Sequence, residues 1–198
     1  MLTLMVGLVI FFAVHSIRLV APDWRETNMM GRKGMIQWRT RFGMISLLAT
    51  AFIIMGYQEA RLEPVWLWFP PLFTRHITSL LMLMALFFVG AAIIPKTFTR
   101  KKTGYPFLIA VKLWAVAHLL SNGNLADVIL FGSFLAWSVV SYVIFRKRDR
   151  AADVKASVVI PEASIRFDFL AVSFALGSTF FIIAFLHKAL IGVSPLIN

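Results

Sequence analysis

The sequence predicts an all-α integral membrane protein, a bundle of six transmembrane helices forming one domain over residues 1–198. Three observations predict it. Hydrophobic residues make up 60% of the chain and the mean hydropathy is +0.82, where soluble domains carry about 45–50% apolar residues. The apolar residues fall in long blocks, each near the length needed to cross a bilayer core. Short polar and basic segments separate the blocks. There is no cysteine, which excludes disulfides, thiolate catalysis and zinc–thiolate or iron–sulfur sites. The net charge of +11 would suggest nucleic acid in a soluble protein. Here the basic residues flank apolar spans, so the charge reads as topology, with the lipid bilayer as partner and no nucleic acid.

The first span runs from Leu2 to Val20. No basic residue precedes it and no small-residue cleavage site follows, so it reads as a retained helix rather than a leader. Pro22 stops it. The segment from Asp23 to Arg41 mixes Arg25, Arg32, Lys33, Arg39 and Arg41 with Met29, Met30, Met35, Ile36 and Trp38, a pattern suited to a short helix lying along the membrane surface. The second span covers about Phe42 to Tyr57. Trp66 and Trp68 follow as interfacial anchors, and Pro70-Pro71 breaks any helix. The third span runs from His76 to Ile94, and Lys96 to Lys102 forms a basic loop. Pro106, at a first-turn position, opens the fourth span. The fifth covers Leu125 to Phe145, and Arg146 to Arg166 is the longest charged loop. The sixth span covers Phe167 to Ile191. The loops after spans one, three and five hold five, four and six Lys or Arg, against two after span two and none after span four. The positive-inside rule therefore places both termini away from the cytoplasm.

The stretch Lys112–Tyr142 organises the chain. Its two apolar halves, joined only through Ser121-Asn122-Gly123-Asn124, must form an antiparallel hairpin. That hairpin carries Lys112, His118 and Asp127 into an apolar environment, where ionisable groups are costly and usually functional. His15 lies about 20 Å from the outer end of span one, and His118 about 18 Å from the inner end of span four. Across a core about 30 Å thick these depths differ by less than about 10 Å. Two inward imidazoles at similar depth suit axial ligation of a haem iron. Arg18, three residues from His15, and Lys112 are the cations for its propionates. Lys112, six residues before His118, falls nearer the opposite side of that helix. The alternative is that both histidines only hydrogen-bond between packed helices. His76 and His187 sit nearer the outer ends of their spans and read as interfacial. Asp127 reads first as a cap on the turn before span five, and otherwise as a carboxylate orienting His118. Gly132 and Ser133 read as a close helix contact, and Trp114, Phe131, Phe134 and Trp137 as core or lipid-facing residues. The basic stretch Arg146 to Arg150 reads as a headgroup surface.

Several segments carry a resemblance: His15-Ser-Ile-Arg-Leu-Val-Ala-Pro22, Gly56-Tyr57 through Ala60-Arg61, Val65-Trp-Leu-Trp68, Val111-Lys-Leu-Trp114, Ala117-His-Leu-Leu-Ser-Asn-Gly-Asn-Leu-Ala-Asp127, Leu130 to Trp137, and His187 with Ile191-Gly-Val-Ser-Pro195. Through them the chain resembles the NnrU family of bacterial membrane proteins along its whole length. The resemblance implies an inner-membrane, multi-pass protein linked to nitrite and nitric oxide respiration. The family is in turn similar to the plant and cyanobacterial 15-cis-zeta-carotene isomerases, membrane proteins that use haem b on a polyene. The isomerases' proposed haem ligands fall by motif on His15 and His118. The implied cofactor is haem b, and the implied partner an apolar polyene or a respiratory-chain component. One departure stands out: the isomerases carry a histidine before the proline that here is Pro106, and this chain has Tyr105. The departure weighs against carotenoid isomerisation more than against haem.

Three functions follow as expectations. The first is a haem-b protein with a redox or isomerase-type role. The second is a non-catalytic membrane assembly or accessory factor with structural histidines. The third is a small-solute or proton transporter using Lys112, His118 and Asp127 as a relay, which lacks the inverted repeat of transporters.

Overall fold

Five helices in the structure, a computed structural model describing residues 1–151 and 162–192, are long and apolar enough to cross a membrane: Leu2–Val20, Gly31–Leu62, Thr74–Ile93, Leu125–Ala151 and Ile165–Ala189. Apart from one isolated antiparallel bridge, Trp66 with Asn124, the regular structure of the described residues is helical. Large apolar side chains point outward along these helices, for example Leu2 at 76% and Phe169 at 67% exposure. A helix whose outer face is apolar is covered by lipid, because water would not be displaced from it otherwise. The chain is a multi-pass membrane protein. It falls into two compact units, Met1–Val65 and Trp66–Asn198.

In the first unit, α1 (Leu2–Val20) packs on α3 (Gly31–Leu62), with the short α2 (Pro22–Asn28) between them in sequence. Pro22 stands at the first turn of α2, where its missing N–H costs nothing. The expected surface helix is thus only α2. Residues 31–41 are instead the opening turns of α3, a helix about 48 Å long. Residues 31–41 hold no proline, and apart from Gly31 and Gly34 they include the good helix formers Arg, Lys, Met and Gln. Trp24 meets Trp38 edge-on at 5.4 Å and ties α2 to this extension. The α1–α3 contact is made by glycine. A Cβ on Gly56 would lie 2.1 Å from the backbone nitrogen of Leu4, and one on Gly7 would lie 2.7 Å from that of Ile53. Close backbone approach through small residues replaces the hydrophobic driving force that lipid removes.

In the second unit, α4 (Thr74–Ile93) packs against both α6 (Pro106–Ser121) and α8 (Ile165–Phe181), and α6 packs on α7 (Leu125–Ala151). The α6–α7 hairpin forms as its short connection requires. However, α6 has only 16 residues, about 24 Å, shorter than the other apolar helices. The fifth apolar block continues as helix to Ala151, past the first charges of the expected loop; residues 152–161 of that loop, and Pro195 of the C-terminal motif, lie outside the described residues. Gly132 makes no close contact, with nothing within 4 Å of its would-be Cβ. A tight approach between helices in this unit is at Gly90, where a Cβ would sit 3.0 Å from the Ala171 carbonyl oxygen of α8.

The expected basic loop Lys96–Lys102 is largely a helix, α5 (Phe98–Thr103). Its capping groups explain it. Thr97 Oγ1 accepts from the Arg100 N–H, while the Asp168 carboxylate on α8 accepts from the N–H groups of Phe98 (2.8 Å) and Thr99 (3.0 Å). A carboxylate at a helix N-terminus satisfies orphan donors and favours the dipole. Asp168→Ala should therefore destabilise the protein by about 1 kcal/mol, read as a lower midpoint on denaturation in mixed micelles. An unchanged midpoint would mean that α5 does not depend on this cap.

Candidate functional site

His118 lies one turn before the C-terminal end of α6. Its Nδ1 is 2.8 Å from the carbonyl oxygen of Trp114, one turn back on the same helix. A carbonyl oxygen only accepts, so Nδ1 carries the proton and, in the neutral ring, the lone pair sits on Nε2. The ring is stacked on Phe131 of α7, centroids 4.5 Å apart and planes 20° from parallel, and lies 5.4 Å from the indole of Trp114. Trp114 itself meets Phe131 and Phe134 edge-on. Two of the aromatic residues read as core or lipid-facing, Trp114 and Phe131, thus flank the imidazole and fix its plane, with Phe134 behind Trp114.

His15 in α1 is built the same way. Its Nδ1–H donates to the carbonyl of Phe11, four residues back, at 2.8 Å. The ring stacks on Phe11 at 3.8 Å and tilts against Phe42 of α3 at 4.9 Å. The two histidines therefore share one local construction: an aromatic residue at i−4 whose carbonyl holds the tautomer, and a stacked ring that holds the plane. This is the arrangement by which a protein orients an imidazole toward a metal.

Lys112 also faces α7, not the opposite side of α6: its ammonium sits 3.8 Å from the ring centroid of Tyr142, whose hydroxyl donates to the Thr103 carbonyl at 3.1 Å. Such cation–π contacts hold a charge without neutralising it. Tyr105, at the position of the isomerases' extra histidine, donates its hydroxyl to the Asp149 carboxylate at 2.9 Å. Arg18 is exposed at the end of α1.

Asp127 is 1% exposed and belongs to the turn. Its Oδ2 accepts from the Asn124 N–H at 3.3 Å, and Asn124 Oδ1 accepts from the Asp127 N–H at 3.0 Å. This reciprocal pair is a capping box at the start of α7, as the first sequence reading expects. The same turn is pinned from outside. The Gly123 carbonyl accepts from the N–H groups of Leu67 (2.8 Å) and Trp68 (3.2 Å), and a Cβ on Gly123 would stand 2.0 Å from the Trp68 carbonyl oxygen. The segment Leu67-Trp68 is thereby fastened at the end of α6 that carries His118. On α6 itself, the Ala117 carbonyl accepts from Thr78 Oγ1 of α4 at 2.8 Å.

His76 is exposed, in keeping with an interfacial residue. His187 is half-buried. Among the described residues no three His, Asp or Glu converge as a metal-ion site. A haem does not need such a cluster, since its macrocycle supplies four nitrogens and the protein supplies axial ligands. The residues at His118 fit that requirement.

A family model described as NnrU protein matches residues 3–195, running through both units. Neither the curated proteins nor the solved structures contain a match to the chain.

Proposed function

The chain belongs to the NnrU family, and from that premise we propose that it is a haem-b protein of the bacterial inner membrane, with a redox or isomerase-type role linked through its family to nitrite and nitric oxide respiration. His118 supplies an axial imidazole and Lys112 a cation for a propionate, and the resemblance implies His15 as the other ligand, with Arg18 three residues on. The observation that carries the reading is the His118 ring, buried against Phe131 and Trp114, with its Nδ1 proton committed to the Trp114 carbonyl and the lone pair therefore on Nε2. When bound, the haem would supply one-electron or Lewis-acid chemistry to an apolar polyene or a respiratory-chain partner. The chain's own part is to hold the two imidazoles in one tautomer, and to keep water away with Trp114, Phe131 and Phe134. Lys112 stands 3.8 Å from the Tyr142 ring centroid. Absorbance of the detergent-purified protein tests the proposal, and a Soret band in haem-replete preparations supports it.

The relay reading loses support on two counts: Asp127 is engaged in the α7 cap, and Lys112 lies on the Tyr142 ring. The accessory-factor reading keeps the same fold with the imidazoles as structural groups.

We also propose six crossings, with α6 as the sixth, and both termini on the outer side. Reporter fusions after Lys102 should behave as cytoplasmic and fusions after Glu63 as periplasmic. The reverse pattern would invert the orientation, and a fusion after Asn122 on the cytoplasmic side would remove α6 from the count.

A further inference from the structure

One corner of the second unit, where α5, α6 and α7 come together, gathers two cations. Lys112 lies six residues into α6, about 9 Å along the helix from Pro106. Its ammonium stands over the face of Tyr142 at 3.8 Å. The Tyr142 hydroxyl donates to the Thr103 carbonyl at 3.1 Å, which fixes that ring beside the end of α5. Arg146 follows four residues after Tyr142 in α7, and so on nearly the same face. It lies against Gly104, the residue that ends α5. Gly104 has a φ of 77°, and a Cβ there would stand 3.1 Å from Arg146 Nη1. A side chain at 104 would be strained by its backbone and would crowd the guanidinium, so glycine is what gives the guanidinium its place.

Neither contact brings a negative charge. An aromatic face attracts a cation through its quadrupole and leaves the charge in place, and a glycine offers only backbone. The carboxylate next along α7, Asp149, accepts from the Tyr105 hydroxyl at 2.9 Å. Tyr105 packs on Phe145 at 5.2 Å and meets Tyr142 edge-on at 6.4 Å, so three aromatic rings line the corner. The stretches 100–102 and 146–150 hold seven Lys or Arg against that one carboxylate. Ionisable groups at membrane depth are costly and normally pair with opposite charge. With six crossings, this corner faces the cytoplasm at the level where headgroups meet acyl chains.

We propose that Lys112 and Arg146 form one oxyanion site, taken by the anionic end of an amphiphile whose apolar body lies in the bilayer. Tyr142 is its positioning residue, holding Lys112 with its ring and α5 with its hydroxyl. Basic pockets between transmembrane helices on the cytoplasmic side take lipid headgroups in this way, and the Arg fork suits paired oxygens. Lys112 sits inward of the end of its helix, so the ligand has to bring its anion into the membrane edge. An amphiphile does so and a free ion in water does not. Two amphiphiles carry such a group, an anionic phospholipid with its phosphate and the haem of the reading above with its propionate. The site rests on the haem reading only for the second of them.

The test uses the full-length protein in detergent, prepared from haem-starved and from haem-replete cells. The haem-starved protein is titrated with a short-chain phosphatidylglycerol, with phosphatidylcholine as the zwitterionic control, and bound lipid is read by mass spectrometry of the intact protein. The haem-replete protein is read by Soret absorbance per chain. Lys112→Gln and Arg146→Gln should each weaken phosphatidylglycerol binding about fivefold. Lys147→Gln, which removes an exposed charge from the same helix, should change it little. Tyr142→Leu should weaken it as well, while Tyr142→Phe, which keeps the ring, should not. That pattern makes a lipid phosphate the anion. Unchanged lipid binding with lowered haem content in the two Gln variants makes a propionate the anion, and the site stands. The proposal is overturned if neither readout changes, or if Lys147→Gln matches Arg146→Gln, since general surface charge then accounts for both. Unchanged binding in Tyr142→Leu would overturn the positioning role. A wild-type protein without a Soret band overturns the haem reading alone, and the lipid titration then decides the site.

Discussion

Replacing Gly56 by alanine should part α1 from α3 and cost about 1–3 kcal/mol. The added methyl would stand 2.1 Å from the Leu4 nitrogen and 2.6 Å from its Cα, both backbone atoms. No rotamer change relieves such a contact, so the helices must separate. Separation loosens the neighbouring contacts at Gly7 and Ala49 and the Thr3–Glu59 hydrogen bond of 2.8 Å. Lipid offers no hydrophobic penalty for pulling two apolar helices apart, so close packing is what holds them together. The control is Gly132→Ala in α7, where nothing lies within 4 Å. There the methyl costs nothing and removes helix-interior glycine, so a gain of about 0.5–1 kcal/mol is expected. Unfolding titrations in mixed micelles should show opposite signs for the two variants. Equal effects would mean that α1 and α3 do not approach through Gly56.

The second large effect is at His118. His118→Ala removes the imidazole while Trp114 and Phe131 stay in place, and should lower haem content more than about tenfold, since even outer-shell partners of metal ligands are worth about 10–100-fold. Membrane insertion should be unchanged, because one side chain in a 16-residue apolar helix does not decide it. The Asp127 capping box lies beyond the helix end and should survive. Full haem content in His118→Ala protein would remove this residue from the site. Lost insertion would point to a structural histidine.

Much of the fold is legible in the sequence, because prolines and charge changes mark its boundaries. Pro22 ends the first helix at Val20, and Pro106 opens α6 where expected. Legibility fails where the deciding partner is distant. α5 looks like a loop because its N-terminus is capped by Asp168, about seventy residues along the chain. α3 looks shorter than it is because charge ends an apolar block without ending a helix. Gly132 and Gly56 look alike in sequence, yet only one of them meets a neighbouring backbone. At the candidate site, the imidazoles themselves are legible as ionisable groups in apolar spans, and so is the cap at Asp127. The π-turn Ile182–Leu186 is not, since a slip from an i−4 to an i−5 hydrogen bond leaves no mark in composition. The carbonyls that hold the two histidine tautomers are equally silent, since every residue has one.

The central claim is that His118 is an iron ligand, and it is tested most directly by one absorbance spectrum. The wild-type chain, expressed with ample haem and purified in detergent, should show a Soret band whose intensity scales with protein. Dithionite should sharpen its visible bands, as expected of imidazole-ligated haem b. A spectrum with no absorbance in the Soret region, from correctly inserted protein, would contradict the claim.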